Sequence, residues 1–298
     1  MKIKRVHFDR FTGTAVLLLV PQMAVLAIFV LLPAVEALVQ AFLISDPFGQ
    51  RSHFVWFENF TTVLTSPQYH NSILRTLIFT VSTTTLSMVA GLTFALLVDH
   101  MRRGKAAYRM LVIWPYAVAP VVAGALWLFL FDPIYGTLAF MLNHGWGVKW
   151  NPLLNGTHAM ALIVIAAAWK QVSYNFVFFL AGLQGIPKSL IEASAIDGAG
   201  PVRRFATIIW PLLSPVTFFL LVLNIVYAFF DTFGIVHSLT RGGPTGATDI
   251  LVYKVFADGF LAHDLGSSSA QSVILMMAVV ALTVFQFRYV ERRVTYAS

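Results

Sequence analysis

The sequence contains no cysteine, which excludes disulfide bonds, thiolate metal sites and cysteine nucleophiles. Its eight histidines are scattered without the spacing that metal ligands need, so no metal site is predicted. The motifs G-x-S-x-G, H-E-x-x-H and G-x-x-x-x-G-K-[ST] are also missing. The chain is therefore not predicted to be an enzyme, and it has no phosphate-binding loop with which to hydrolyse ATP.

Charged residues are scarce as well. Only 11% of the 298 residues are charged, 58% are hydrophobic and the mean hydropathy is +0.77. These values exclude a soluble domain with a polar surface and predict an all-α integral membrane protein. The net charge of +7 does not indicate nucleic-acid binding, because the basic residues cluster at the ends of apolar segments rather than along one face.

Six apolar runs are close to the ~20 residues that a helix needs to cross a bilayer. They are residues 11–35, 73–98, 107–131, 158–183, 206–234 and 269–287. The first follows the basic segment MKIKRVHFDR, which raises the alternative of a cleaved signal peptide. Since the apolar core of a signal peptide has only about 7–15 residues, an uncleaved first span is predicted instead.

Lys and Arg predict the orientation of these spans, because cytoplasmic loops are enriched in both residues. The basic connections are the N-terminal segment and residues 102–109, 188–204 and 288–293. The other loops carry few basic residues, namely Arg51, Lys149, Arg241 and Lys254. These loops are predicted to be external, with both termini in the cytoplasm.

Polar residues interrupt the fourth and fifth apolar runs. Lys170 falls near the middle of its run, where a charged side chain costs on the order of 3 kcal/mol unless it faces a cavity or a partner. Helical spacing extends one polar stripe from Lys170 and predicts a second stripe on the next run. The two stripes are Lys170, Gln171, Tyr174 and Asn175, and Asn224, Tyr227 and Asp231. We predict that they line one aqueous passage; the alternative is a structural ion pair between Lys170 and Asp231.

The third run, IWPYAVAPVVAGALWLF, combines Pro115 and Pro120 with Ala119, Ala123 and Gly124. Proline in a membrane helix frees backbone carbonyls that need other partners, and small residues let helices approach closely. The run is predicted to be a closely packed helix that bends. Ordinary packing without movement is the alternative.

A polar stretch, SLIEASAIDGAGPVRRFATIIWP at residues 189–211, begins between the fourth and fifth runs. Ser189 and Glu192 have the spacing of a capping box, which predicts that a helix begins there. Gly198 is placed to end this helix, and the two turns between are too short to be stable alone in water. The helix is therefore predicted to keep its shape by docking; an ordinary capped loop helix is the alternative.

The same stretch resembles the EAA loop of ABC importer permeases. The matching pattern is E-A-S at 192–194, G at 198, I at 208 and W-P at 210–211, and only Ser194 and Trp210 depart mildly from the common form. The resemblance implies that residues 189–200 are a coupling helix, which sits in a cleft of a cytoplasmic ATPase subunit. The residues that it assigns to coupling are Ser189, Glu192, Ala193, Asp197, Gly198 and Ala199.

A turn follows the fifth run, with the composition T-R-G-G-P at residues 240–244. In related permeases a T-x-G-G-P turn faces a substrate-binding protein, and this implies the same role for Gly242, Gly243 and Pro244. A plain turn is the alternative.

Nearly the whole chain is similar to the membrane subunits of bacterial sn-glycerol-3-phosphate ABC importers. The matching runs are PYAVAP at 115–120, WKQVSYNF at 169–176, VYAFFDTF at 226–233, SAQSV at 269–273 and QFRYVE at 286–291. The resemblance implies one permease domain over residues 1–298, with the type I ABC importer permease fold of six transmembrane helices, in the bacterial inner membrane. The implied partners are a second, homologous permease, an ATPase dimer, a periplasmic solute-binding protein and the lipid bilayer. ATP and Mg would bind to the ATPase subunits, with no cofactor in this chain.

The function implied by this resemblance is a permease subunit that forms a pathway for sn-glycerol-3-phosphate or related glycerophospho compounds. Lys170 favours such an anionic solute over the alternative within the class, a di- or oligosaccharide. An ion-coupled secondary transporter is a more distant alternative. It would be expected to show an inverted internal repeat, and we detect none in the sequence.

Overall fold

The computed structural model of the protein describes residues 12–45, 52–101 and 103–290. Helices make up most of this part, as the apolar runs predict. The chain divides into two compact units, unit 1 (Met1–Leu64 and Asp258–Val273) and unit 2 (Thr65–Ala257 and Ile274–Ser298). One permease domain over residues 1–298 stays a prediction.

Unit 1 begins with a long apolar helical segment. Its elements are α1 (Thr12–Leu26), a π-helical turn (Ala27–Leu31), α2 (Leu32–Gln40), β1 (Leu43–Ser45), β2 (Ser52–Phe54) and α3 (Glu58–Thr65, whose last residue belongs to unit 2). The two strands pair antiparallel, with Leu43 opposite Phe54. The buried Asn59 donates from Nδ2 to the carbonyl oxygens of Ala41 (3.0 Å) and Leu43 (2.9 Å). These two hydrogen bonds from the Asn59 side chain of α3 hold the backbone between α2 and β1 in place.

Unit 2 contains the remaining helices. They are α4 (Pro67–His100), α5 (Lys105–Ala117), α6 (Pro120–Phe131), α7 (Thr137–Gly145), α8 (Gly156–Gln184), α9 (Lys188–Ile196), α10 (Pro201–Arg204), a π-helical turn (Phe205–Ile209), α11 (Trp210–Phe230), α12 (Phe233–Leu239) and α13 (Leu251–Phe256). After a π-helical turn (Ala257–Leu261), α14 (Leu265–Phe285) begins in unit 1, returns to unit 2 and ends in a further π-helical turn (Gln286–Val290). Apolar clusters around Phe79, Ile163 and Ile235 and around Phe176 and Leu213 hold this unit together.

Within the described residues, five helical segments are long and apolar enough to cross a membrane. They are Leu17–Gln40, Pro67–His100, Gly156–Gln184, Pro201–Phe230 and Leu265–Arg288. A sixth span results when α5 and α6 are counted together. The first helical segment continues to Gln40 rather than residue 35, because the single charge of Glu36 does not interrupt it. Six spans and cytoplasmic termini stay predictions, and residues 1–11 and 291–298 lie outside the described part.

The third span is broken, which is a larger departure from a straight helix than the predicted bend. α5 and α6 meet at an angle of 104°. Val118 and Ala119 between them have extended backbone, since the residue before a proline disfavours the helical region and Pro120 opens α6. The small residues pack closely as predicted, because a Cβ on Gly124 would overlap Ser238 Oγ of α12.

The fifth span ends earlier than the predicted run of 206–234. α11 stops at Phe230, and α12 begins only after Asp231 and Thr232. The Thr232 hydroxyl donates to the Ala228 carbonyl (3.0 Å), the kind of local bond by which short polar side chains compete with helix continuation. Asp231 therefore lies at the end of α11 rather than on a stripe inside it.

Candidate functional site

A cavity of about 550 Å³ opens where the break between α5 and α6 meets the middle of α8 and the last turns of α11. Its lining residues are Tyr116, Ala117, Val118, Ala119, Pro120, Lys170, Gln171, Tyr174, Leu223, Val226, Tyr227 and Asp231. Five of the seven predicted passage residues thus reach one cavity. Its volume is within the roughly 300–1,000 Å³ that is typical of small-molecule sites.

Lys170 is the charged group at the centre of this cavity, and it lies midway along the 29-residue helix α8. Its Nζ donates to the Tyr116 carbonyl oxygen (3.0 Å) and lies 5.3 Å from the centroid of the Tyr116 ring. Among the described residues no ion pair joins Lys170 to Asp231, which is exposed at the end of α11. The direct contact that positions the Lys170 ammonium is therefore the Tyr116 carbonyl, while the Asp231 carboxylate acts on Lys170 electrostatically across the same cavity.

The other cavity residues are held by contacts between helices. Gln171 and Tyr227 are buried, and the Tyr227 hydroxyl donates to the Ala167 carbonyl of α8 (3.3 Å). Tyr174 is half-buried, with its ring centroid 6.1 Å from that of Tyr116. The cavity therefore presents one ammonium, an amide, phenols and one carboxylate on an otherwise apolar wall.

Asn175 and Asn224 do not reach the cavity, which corrects the prediction that both stripes are continuous along the passage. Both are fully buried, and each amide donates to the oxygen of the other, at 2.7 Å from Asn224 and 3.2 Å from Asn175. Ser87 of α4 also donates to the Asn224 oxygen (2.9 Å). A Cβ on Gly91 would lie 2.6 Å from Asn175 Cβ, so α4 packs closely against Asn175 at this glycine. The two amides join α4, α8 and α11.

The sequence does not predict that Tyr116 belongs to this cavity. In a continuous helix, the N–H of residue 120 would donate to the carbonyl of residue 116, and Pro120 has no N–H. The Tyr116 carbonyl is thus the one that Pro120 frees, and it is also the one that Lys170 contacts. Pro120 indicates in the sequence that the Tyr116 carbonyl lacks its helical partner. Spacing alone could not identify Lys170, 54 residues after Tyr116, as the donor to this carbonyl.

The predicted coupling helix forms as α9, but its start differs from the prediction. The helix begins at Lys188 behind Pro187, with no side-chain cap, so the capping box of Ser189 and Glu192 is wrong. Pro187 has a φ of −59° and leads directly into the helix, which places Ser189 inside the first turn. The backbone constraint of proline thus sets the N-cap at Pro187, two residues before Ser189, the predicted cap of the helix.

The end of α9 confirms the prediction for Gly198. Gly198 has a φ of +76°, the Gly198 N–H donates to the Ala195 carbonyl (3.1 Å) and the Ala199 N–H donates to the Ser194 carbonyl (3.0 Å). These two bonds and the left-handed glycine form a Schellman motif. A side chain here would oppose the backbone conformation, although the space around the residue is open.

Most of α9 faces outward. Ile196 is 87% exposed and Leu190 45% exposed, while Glu192, Ala193 and Asp197 are also exposed. Only Ser194 is buried, and its hydroxyl donates to the Ile191 carbonyl (2.8 Å). A cavity of about 630 Å³ beside Ile191 is lined by Leu96, Asp99, His100, Leu183, Ile186, Pro201, Val202, Arg204, Phe205 and Ile209. α9 therefore offers an exposed, partly apolar surface on a short helix.

The turn at Gly242 to Pro244 is closely held. The Thr248 hydroxyl donates to the Gly243 carbonyl (2.8 Å), and the Thr248 N–H donates to the Gly242 carbonyl (3.1 Å). Gly242 has a φ of +77°, and a Cβ there would lie 2.7 Å from the Tyr253 ring. Burial raises the pKa of the Tyr253 phenol, and Asp249 adds to this shift while Arg241 opposes it. A role of this turn in facing a binding protein stays a prediction.

Comparison with known proteins places the chain in a family. Residues 85–296 match the model of the binding-protein-dependent transport system inner membrane component. A relative from Rhizobium meliloti (strain 1021), the sn-glycerol-3-phosphate transport system permease protein UgpA, is 61% identical over 280 residues. That alignment covers 94% of this chain and 95% of the relative.

Solved structures agree on the fold. A bacterial ABC transporter involved in the import of the acidic polysaccharide alginate matches with a TM-score of 0.80 at 20% identity, over 95% of this chain and 96% of that one. A second structure, of the alginate transporter in complex with a pentasaccharide-bound periplasmic protein, also gives 0.80, at 18% identity and 96% coverage of both chains. The chain belongs to the family of binding-protein-dependent transport system inner membrane components, with the type I permease fold of ABC transporters.

Proposed function

We propose that this chain is a permease subunit of an ATP-driven importer for sn-glycerol-3-phosphate or related glycerophospho compounds. The observation that carries this proposal is the Lys170 ammonium, which faces a cavity of small-molecule size in the middle of α8. The relative from Rhizobium meliloti, 61% identical, is an sn-glycerol-3-phosphate permease by name. An anionic solute fits a wall whose central charge is positive.

The chemistry of the cavity suits a phosphate ester. One donor of Lys170 Nζ is engaged by the Tyr116 carbonyl, which leaves two donors for phosphate oxygens. In a cavity of reduced dielectric, the attraction between an ammonium and a phosphate is several times stronger than in bulk water. Gln171 and Tyr174 line the same wall and supply uncharged hydrogen-bonding groups for the glycerol hydroxyls.

The chain would form one wall of the pathway, and a homologous permease would form the other. ATP and Mg would bind to a pair of ATPase subunits, since this sequence has no phosphate-binding loop. Residues 189–200 would dock in the ATPase cleft, where the exposed Leu190 and Ile196 would become buried. The turn at Gly242 to Pro244 would face a periplasmic solute-binding protein, in line with the periplasmic protein bound to the alginate transporter.

The proposed transport cycle uses these proposed contacts. Closure of the ATPase pair on ATP would push the two coupling helices together and open the cavity outward, where the binding protein releases its solute. Hydrolysis would let the coupling helices separate and reopen the cavity inward. ATP and the loaded binding protein would act by shifting the populations of these two states.

The test compares lysine variants of the importer reconstituted in vesicles with its partner subunits. Lys170→Met should lower the rate of sn-glycerol-3-phosphate uptake about tenfold or more at saturating loaded binding protein, because it removes a charge-assisted hydrogen bond. Lys170→Arg should retain part of the rate. The matched control Lys149→Met removes an exposed lysine outside the cavity and should transport normally. Normal transport by an assembled Lys170→Met importer would overturn the proposal.

A di- or oligosaccharide importer is the second candidate. The paired rings of Tyr116 and Tyr174 favour it, because aromatic faces suit the apolar faces of sugar rings. The same vesicles separate the two candidates. If a sugar-loaded binding protein stimulates ATP hydrolysis and an sn-glycerol-3-phosphate-loaded one does not, the sugar candidate is correct.

A further inference from the structure

We propose that Pro120 is a positioning residue for anion recognition, because the carbonyl that it leaves unpaired holds Lys170 in the cavity. The inference rests on the proposed function, in which Lys170 binds the phosphate. The break between α5 and α6 would then do more than bend the span, because it would also supply the acceptor that positions Lys170.

The hydrogen bonds around the break support this role. Pro120 cannot donate to the Tyr116 carbonyl, and it holds Ala119 at φ −60° and ψ 142°, outside the helical region. The Val118 N–H closes the end of α5 by donating to the Pro115 carbonyl (3.2 Å). The Tyr116 carbonyl accepts instead from Lys170 Nζ at 3.0 Å. A carbonyl without a partner is unfavourable within a membrane, so this acceptor attracts the nearest donor.

The consequence is a lysine with a defined position. Lysine has a flexible four-carbon stem, and holding it in one place before the substrate arrives removes an entropic penalty from binding. Two contacts restrain the ammonium, the Tyr116 carbonyl and the face of the Tyr116 ring at 5.3 Å. The remaining two N–H donors are available to the cavity.

Pro120→Ala tests the role directly. The substitution restores an N–H for the Tyr116 carbonyl and releases Ala119 into the helical region, so Lys170 loses its acceptor. The uptake rate for sn-glycerol-3-phosphate should fall roughly threefold to tenfold, the range for ordering one long side chain. The KM for the loaded binding protein should not change, since docking does not involve the cavity.

Pro115→Ala is the matched control. Pro115 belongs to the same span, and it leaves the Leu111 carbonyl, four residues earlier, without its helical donor. Leu111 does not line the cavity. We expect Pro115→Ala to transport at the normal rate. An equal loss in both proline variants would show that the bend alone matters and would overturn the inference.

A double-mutant cycle shows whether Pro120 acts through Lys170. Pro120→Ala should add no further loss to Lys170→Met, whereas independent effects would multiply and would overturn the inference. If Pro120→Ala fails to assemble, Pro120→Gly replaces it in the cycle, because glycine also restores an N–H for the Tyr116 carbonyl. Its loss should also vanish in the Lys170→Met background. If Lys170→Met itself transports normally, the proposed function fails; if only the cycle is additive, the positioning role fails.

Discussion

The cavity around Lys170 and the helix α9 differ in how their functional residues are held. In the cavity, contacts between distant segments place the polar groups, such as Lys170 with Tyr116 and Tyr227 with Ala167. In α9, bonds between near neighbours set the shape, and most side chains face outward. Cavity variants should therefore change solute handling, while α9 variants should change the response to partner subunits.

Gly198→Asp should have the largest effect. The residue has a φ of +76° in the Schellman motif that ends α9, a conformation that costs a side chain roughly 1–2 kcal/mol, and the new carboxylate would project from the docking helix. We expect uptake to be abolished while the chain still inserts and pairs with its partner permease. The measurement is uptake beside binding-protein-stimulated ATP hydrolysis in the same vesicles.

Gly200→Ala is the control for that prediction. Gly198 and Gly200 both have open space where a Cβ would go, but Gly200 has an ordinary φ of −68°. Gly200→Ala should leave both activities in place. If Gly198→Asp also keeps uptake and stimulated hydrolysis at normal levels, residues 189–200 are not the coupling element.

Glu192→Lys should have the next largest effect. The side chain is exposed on α9 and makes no cap, so its charge is available to a partner. We expect uptake to fall severely on charge reversal and less with Glu192→Gln, which keeps the size of the side chain. Since no capping box forms, neither variant should change the helicity of α9 much. Equal damage from both variants would mean that the carboxylate itself makes an indispensable contact.

The sequence predicts α9 well because the signals for this helix are local. Gly198 marks its end by backbone conformation alone, and the E-A-S and W-P pattern lies within about 20 residues. The N-cap is misplaced by two residues, from Pro187 to Ser189, because two local signals compete there. The restriction imposed by Pro187 prevails over the cap offered by Ser189.

The cavity is predicted only in part because its geometry depends on contacts between segments. Helical spacing puts Lys170 and Asn175 on one stripe, yet Asn175 turns to Asn224 and Lys170 turns to Tyr116. Those partners are 49 and 54 residues away, and no spacing rule selects them. The end of α11 is missed for a different reason, because the predicted run passes over Asp231 and Thr232, where the local bond from the Thr232 hydroxyl to the Ala228 carbonyl competes with the helix.

Asn175→Leu should produce a smaller effect, on stability rather than solute handling. It leaves the buried Asn224 with fewer partners, at a cost of about 1–3 kcal/mol for an unsatisfied buried group. The thermal midpoint of the assembled importer should fall, and the response to the loaded binding protein should persist. The double variant Asn175→Leu with Asn224→Leu should lose less than the sum of the single losses. A lower uptake rate with an unchanged thermal midpoint would show that Asn175 and Asn224 act in the solute pathway, as the sequence predicts.

The smallest functional effect is expected from single cysteines at Leu154 and Val202, which test the orientation that the comparison assumes. The chain has no cysteine of its own, so each introduced thiol is the only one in this subunit. Leu154 precedes α8 and is 82% exposed, whereas Val202 lies beyond the other end of α8, outside the proposed docking segment 189–200, and is also 82% exposed. One crossing by α8 would put the two positions on opposite sides of the membrane, with Leu154 outside and Val202 in the cytoplasm.

An impermeant thiol reagent added to sealed right-side-out vesicles should label Leu154→Cys and spare Val202→Cys, and opening the vesicles should expose the second. Labelling of Val202→Cys from outside would place α9 on the wrong side for an ATPase, and the division between cavity and coupling helix would fail.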